Sequence, residues 1–126
     1  MKKKFGVGID MVEIKRFEDK VYQKNKKFYE KIFVQSEINY CLKFKNPGPH
    51  FAGKFAIKEA MKKSLDESID FLDIITKHKN LKPTVNLKIN NSYAFYASVS
   101  HEKHYAIAIV ISQLIKLLDT FTCHLR

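Results

Sequence analysis

The sequence predicts an α+β fold, an antiparallel sheet meander packed against one long central helix. Three observations carry that prediction. Residues 4–12 alternate as a strand, the segment from about His50 to Leu65 keeps a helical pattern, and after Asp70 the texture changes to short alternating runs separated by turn residues. With 126 residues and 45% hydrophobic content, the chain suffices for a single domain, residues 1–126, with its own core. Residues 113–126 read as a C-terminal helical extension.

Each element has a local reason. Phe5, Val7, Ile9 and Met11 point to one face of the first strand, which should bury them, and Gly6, Gly8 and Asp10 point to the other. The glycines leave that second face bare beside Asp10, so another backbone or a ligand can come close. Glu13 to Val21 reads as a short helix with Ile14 and Phe17 inward, and Phe28, Ile32 and Phe33 form a second apolar cluster. Ser36 is the expected N-cap of a helix through Glu37, Tyr40, Cys41 and Phe44, which Asn46-Pro47-Gly48-Pro49 ends. In the central helix Ala56, Ile57, Ala60 and Met61 make an apolar arc, with Ala52 and Phe55 on the far side. Phe71–Thr76 is the next strand, Lys79 to Pro83 a turn, and Val85, Leu87 and Ile89 alternate in the strand after it. Asn90-Asn91 turns again. Tyr93–Ser100 and Tyr105–Ile111 form a hairpin around residues 101–104, and Leu114, Ile115, Leu117, Leu118 and Phe121 suggest a short amphipathic helix.

Composition bounds the partners. A net charge of +10 favours anionic ones: nucleic acid, an acidic protein or a phosphorylated small molecule. Cys41 and Cys123 lack CxxC or CxxH spacing, which argues against structural zinc or a disulfide scaffold and for a reducing, intracellular compartment. No run of 18 or more apolar residues suggests a membrane span, and no apolar signal core follows Met1-Lys2-Lys3-Lys4. The expected location is cytoplasmic, with organelle import of a longer precursor as the other possibility. His50 and His78 read as loop residues, and Ser98 and Ser100 lack the Gly-x-Ser-x-Gly elbow of a serine nucleophile.

The central helix carries the chemical signal. Lys54, Lys58 and Lys62 fall at i, i+4 and i+8, where like charges repel by about 0.2–0.5 kcal/mol per pair. An anion lying over the stripe would explain the spacing. Glu59 stands among these lysines, four residues before Lys63, flanked by Phe55 and Ala56 and so partly buried. Lysines around one carboxylate suggest a polyphosphate site with a divalent metal.

Three segments, Gly8-Ile9-Asp10, Phe55-Ala56-Ile57-Lys58-Glu59-Ala60 with Lys63, and Ser98-Val99-Ser100-His101, together resemble the holo-acyl-carrier-protein synthases, the small group of the 4′-phosphopantetheinyl transferase superfamily. Asp10-Met11-Val12-Glu13-Ile14-Lys15-Arg16 and Phe51-Ala52-Gly53-Lys54-Phe55 strengthen the resemblance, which covers about residues 5 to 111. It implies the fold of that superfamily, with Asp10 and Glu59 binding Mg²⁺, Lys63 contacting phosphate, and Lys54, Lys82, Pro83 and His101 lying along coenzyme A. It also implies that Arg16, with Lys15 and Lys20 beside it, meets an acidic acyl carrier protein. The implied reaction moves 4′-phosphopantetheine from coenzyme A to a carrier serine, giving holo carrier protein and adenosine 3′,5′-bisphosphate, in support of fatty acid synthesis. Asp10, Glu59 and Lys63 are its expected catalytic residues. The serine proton goes to Glu59, acting through water, or to water held by the metal. Relatives assemble as homotrimers with sites between subunits.

This chain departs from the family at four places. Leu65 to Asp70 holds three acids and no glycine where relatives usually have a glycine-rich turn, Leu81 replaces a glycine before Lys82-Pro83, Lys54 replaces an arginine, and the tail from about Gln113 extends past where relatives often stop. The competing functions are a catalytically impaired coenzyme A-binding protein and a basic nucleic-acid-binding module. The sequence disfavours the latter: most of the ten Phe sit at apolar-periodic positions, and there is no RNP-like, KH or zinc-knuckle signature.

Overall fold

A computed structural model describes residues 4–89 and 92–115. Strand β1 (Phe5–Glu13) leads through a one-turn helix α1 (Lys15–Glu18) and a 3₁₀ turn at Tyr22–Lys24 into α2 (Lys26–Glu30) and α3 (Gln35–Leu42). The long helix α4 (Gly48–Leu65) follows, then a 3₁₀ turn at Phe71–Asp73, the hairpin β2 (Ile74–Lys79) and β3 (Lys82–Leu87), and the hairpin β4 (Tyr93–His101) and β5 (Tyr105–Leu114). The strands form two antiparallel sheets, one ordered β1-β5-β4 and one made of β2 and β3, so the first strand closes onto the last.

The alternation of β1 is present, but its faces are reversed from the sequence expectation. Phe5 is 62% exposed, Val7, Ile9 and Met11 are each 60% exposed, and Gly6 and Gly8 are buried. The cause is how closely α4 approaches. A Cβ on Gly8 would lie 1.9 Å from the Ala60 carbonyl oxygen, and one on Gly6 would lie 1.9 Å from that of Ser64. The helix presents its smallest residues, Ala52, Ala56, Ala60 and Ser64, along one buried stripe. Ala106, Ala108 and Ser112 of β5 are buried on the same side of the sheet as the glycines, and the Ser112 hydroxyl donates to the Ser64 carbonyl at 3.1 Å. Small residues from both partners let backbone meet backbone, which sets the position of Asp10 relative to the helix.

Other boundaries shift for local reasons. Helix α1 is shorter than the predicted 13–21, although Ile14 and Phe17 are buried as expected. Helix α3 begins at Gln35 rather than after a Ser36 cap, and the Glu37 carboxylate accepts from the Val34 N–H at 2.9 Å in place of a cap hydroxyl. The predicted strand Phe71–Thr76 starts as a 3₁₀ turn and pairs only from Ile74. The turn between β2 and β3 narrows to Asn80 and Leu81, both at positive φ (51° and 68°), and β3 ends before Ile89. At the tip of the β4–β5 hairpin the Glu102 carboxylate accepts from the His104 and Tyr105 N–H groups at 2.9 and 2.8 Å. Gln113 and Leu114, placed in the predicted C-terminal extension, belong to strand pairing. The predicted turn at Asn90-Asn91 and the rest of the predicted C-terminal helix lie outside the described residues.

The core gathers aromatics rather than displaying them. Phe17 packs against Tyr29, Phe33, Phe51 and Phe55 with ring centroids 5.6–6.3 Å apart, and all five side chains are buried. These contacts account for Phe17, Phe33, Phe51 and Phe55 as core residues. Among the described residues, no helix is long and apolar enough to cross a membrane.

Candidate active site

The lysine stripe of α4 is answered from inside the protein, contrary to the expectation of an anion over all three. Lys58 is fully buried and all three of its protons are used, on Glu37 Oε1 (2.7 Å), the Ile32 carbonyl (2.8 Å) and the Phe71 carbonyl (3.0 Å). Lys62 lies over the Phe71 ring, 3.4 Å from its centroid. Lys54 is also buried, donating to Thr76 Oγ1 at 3.0 Å with its ammonium 4.6 Å from the Tyr40 ring centroid. Burial pulls the Lys54 and Lys58 ammonium groups below the usual lysine range, and the Glu37 carboxylate opposes that pull at both. Glu37 had no assigned role in the sequence. Two lysines on one buried stripe required a carboxylate partner, and that requirement was the signal that could have found it.

The other charged centre lies where β1 meets the far half of α4. Lys63 Nζ donates to Asp10 Oδ1 and to the Ile9 carbonyl, both at 3.1 Å. The Asp10 side chain is 17% exposed and that of Lys63 is 54% exposed, so the pair sits at a surface rather than in the core. Glu59, half-buried, is one turn before Lys63 on the same helix face. The residues predicted as metal ligands therefore come from the two elements that the glycines bring together.

Lys54, Pro83 and His101 meet elsewhere. They line a cavity of about 310 Å³ with Tyr40, His50 and His78. His50 stacks on Phe44, with centroids 3.5 Å apart, and His78 stacks on Tyr40 at 4.4 Å. Burial, then the neighbouring Lys54 and His50, hold the His78 imidazole down to about 4. His50 is lowered as well, by burial and then by His101 and Lys54. Neither is the plain loop histidine expected from sequence: α4 begins at Gly48, so His50 is helical, and His78 is in β2. Lys82 lies outside this cavity and lines a neighbouring groove with Lys79 and Tyr96. Arg16, Lys15 and Lys20 are exposed around α1, with the Arg16 guanidinium 5.0 Å from the Phe55 ring centroid.

The site residues thus fall into two groups. Asp10 is on β1, and Val99, Ser100 and His101 of the cavity wall are on β4, with β5 between the two strands.

The family model of the 4′-phosphopantetheinyl transferase superfamily matches residues 6–110. The chain belongs to that superfamily. Within it, the chain is 38% identical over 109 residues to the holo-[acyl-carrier-protein] synthase of Thermodesulfovibrio yellowstonii, covering 84% of this chain and 96% of the relative. It is 41% identical over 129 residues to that of Clostridium kluyveri, covering 92% and 95%. Among solved structures, the fold superposes on the Helicobacter pylori holo-[acyl-carrier-protein] synthase in complex with coenzyme A (TM-score 0.75, 36% identity, covering 85% and 99%). It also superposes on the Bacillus anthracis enzyme in complex with CoA (3′,5′-ADP) (TM-score 0.74, 30% identity, covering 86% and 96%). The two groups of site residues are held by β1 and α4 on one side and by α4, β3 and β4 on the other.

Proposed function

We propose that this chain transfers the 4′-phosphopantetheine group of coenzyme A to a serine hydroxyl of an acidic apo acyl carrier protein, releasing adenosine 3′,5′-bisphosphate and supporting fatty acid synthesis. The carrying observation is the meeting of Asp10 with the α4 face that bears Glu59 and Lys63, in a member of this superfamily.

The donor set suits Mg²⁺. Asp10 Oδ1 already takes a cation, the Lys63 ammonium, at 3.1 Å. Among the described residues no group of three or more His, Cys, Asp or Glu side chains could hold a metal. The protein's share would be two carboxylates, Asp10 and Glu59, a half-site that Mg²⁺ characteristically completes with water and substrate phosphate oxygens. When bound there, the ion would neutralise charge on the diphosphate. The remaining work falls to side chains of this chain. Lys63, more than half exposed on a long stem, turns from Asp10 to the β-phosphate and meets the charge that develops on it. Glu59 takes the serine proton through water. Lys54, Pro83 and His101 hold the coenzyme along the cavity, and Lys82 borders it from the neighbouring groove. Arg16, Lys15 and Lys20 steer the acidic carrier to the site.

The separation of the two groups across three strands supports a site completed by a second copy, in a homotrimer. The outer face of the large sheet supplies an interface: Phe5, Val7, Ile9 and Met11 stand exposed beside Ile107 and Ile109. A cytoplasmic setting is part of this proposal.

Incubation with apo carrier protein, coenzyme A and Mg²⁺ should add one phosphopantetheine to the carrier by mass spectrometry. Asp10→Ala and Glu59→Ala should each lower the rate at least about 10³-fold while leaving circular dichroism unchanged. Full activity in either variant removes that residue from the metal site. Coenzyme A binding without transfer by the native chain would support an impaired binding protein instead.

A further inference from the structure

Lys54 is held by a directed chain of hydrogen bonds that starts outside the cavity. The Thr76 hydroxyl has one proton, and it goes to Glu37 Oε2 at 2.6 Å; its lone pairs therefore face Lys54 Nζ, which donates to it at 3.0 Å. Glu37 is itself fixed. Oε2 also accepts from the Thr76 N–H at 2.8 Å, and Oε1 accepts from Lys58 and from the Val34 N–H at 2.7 and 2.9 Å. The carboxylate cannot rotate without breaking several of these bonds. Glu37 and Thr76 are 1% and 2% exposed, and neither lines the cavity. Among the described residues Thr76 is the hydrogen-bond partner of Lys54, and the rest of the ammonium faces the Tyr40 ring and the cavity that Lys54 and Tyr40 both line, where a ligand can meet it.

We propose that Thr76 and Glu37 are positioning residues, which fix the Lys54 ammonium in the cavity and thereby set the affinity for the anionic part of coenzyme A. The inference rests on the assignment of Lys54 to the coenzyme site. A guanidinium brings its own rigid fork, whereas an ammonium on a flexible stem needs an external anchor to hold one direction. The anchor also reaches the cavity wall, because Thr76 belongs to β2, the strand that carries His78 and pairs His78 with Pro83.

The test is a cycle of Thr76→Val and Lys54→Met in the full chain, with coenzyme A binding read by calorimetry and transfer kinetics read beside it. Thr76→Val keeps the shape and the backbone N–H to Glu37 and removes only the hydroxyl. It should weaken coenzyme A binding about tenfold, with the loss falling on KM rather than kcat, and Thr76→Ser should restore it. Lys54→Met should weaken binding at least as much, and the double variant should bind no worse than Lys54→Met alone. Thr76→Ala replaces Thr76→Val if the latter does not fold. If Thr76→Val binds normally while Lys54→Met does not, or if the two losses add, Thr76 does not act through Lys54 and the proposal is overturned. Normal binding by Lys54→Met removes Lys54 from the coenzyme site and takes the proposal with it. Absence of transfer by the native chain would instead count against the proposed reaction.

Discussion

His78 stacks on Tyr40 with its ring nearly parallel and its Nδ1 buried without a partner among the described residues. Every ionisable neighbour credited with shifting it, Lys54 and His50, disfavours a second positive charge, as does burial itself. Above about pH 6.5 the imidazole is neutral in both folded and unfolded chains and affects stability little. As pH falls from 6.5 towards about 4, the unfolded chain takes up a proton that the folded chain refuses, so stability declines across that window and levels below it. His50 is lowered too and adds to the decline in the same direction. Thermal melts between pH 7 and pH 4 should show the drop, and His78→Phe, which keeps the stack without the titration, should flatten it. The residue scale is also where the sequence was least legible. Asp10, Glu59 and Lys63 could be named because their spacing fits a family pattern. Glu37, Thr76 and the stack of His78 on Tyr40 could not, because they act through contacts between residues 21 to 39 apart, which no local periodicity encodes. Leu81, at φ 68° and 95% exposed, occupies a left-handed turn position that a glycine would adopt without strain.

At the scale of elements, the packing of α4 on β1 is decided by size rather than by hydrophobicity. Gly8→Ala would drive a methyl into the Ala60 carbonyl and the Ser64 amide, which are backbone atoms that cannot step aside as a side chain would. The expected cost is about 3 kcal/mol, read as a lower urea midpoint with an unchanged slope. Val7→Ala, one residue away on the outer face, should cost far less in the isolated subunit because Val7 is 60% exposed there. This contrast also explains why the sequence located the first strand yet turned it inside out. Reading apolar as buried holds for most strands, but here the side without side chains is the one that a helix backbone can reach. The long helix itself was legible to within two residues, since its start follows from the prolines and its pattern needs no partner.

For the whole molecule, the outer sheet face and the divided site make a joint claim. Ile9 and Ile109 are directly paired across β1 and β5 and stand exposed at the centre of the apolar patch. Ile9→Glu with Ile109→Glu should convert the proposed trimer to monomers in sedimentation and abolish transfer, though none of the residues proposed to hold metal or coenzyme has been changed. Mixing Asp10→Ala subunits with Lys54→Met subunits should recover part of the transfer that each variant lacks alone, because exchange between trimers rebuilds some intact sites. Native-like activity from a monomeric double glutamate variant would contradict the shared site. That the chain forms one α+β domain was readable from its patterns. That the apolar face of β1 would stand exposed in the isolated subunit was not, since nothing in a single strand's alternation distinguishes a core from an outer surface.

The clearance between β1 and α4 bears on how this enzyme can change over generations. Any single-nucleotide substitution in a glycine codon that alters the residue also adds atoms, so positions 6 and 8 have no smaller neighbour to drift through. At the outward-facing positions of the same strand, such as Val7 and Ile9, a change of side chain meets no such backbone barrier within the subunit. Asp10 inherits a fixed address as a by-product of crowding two residues away.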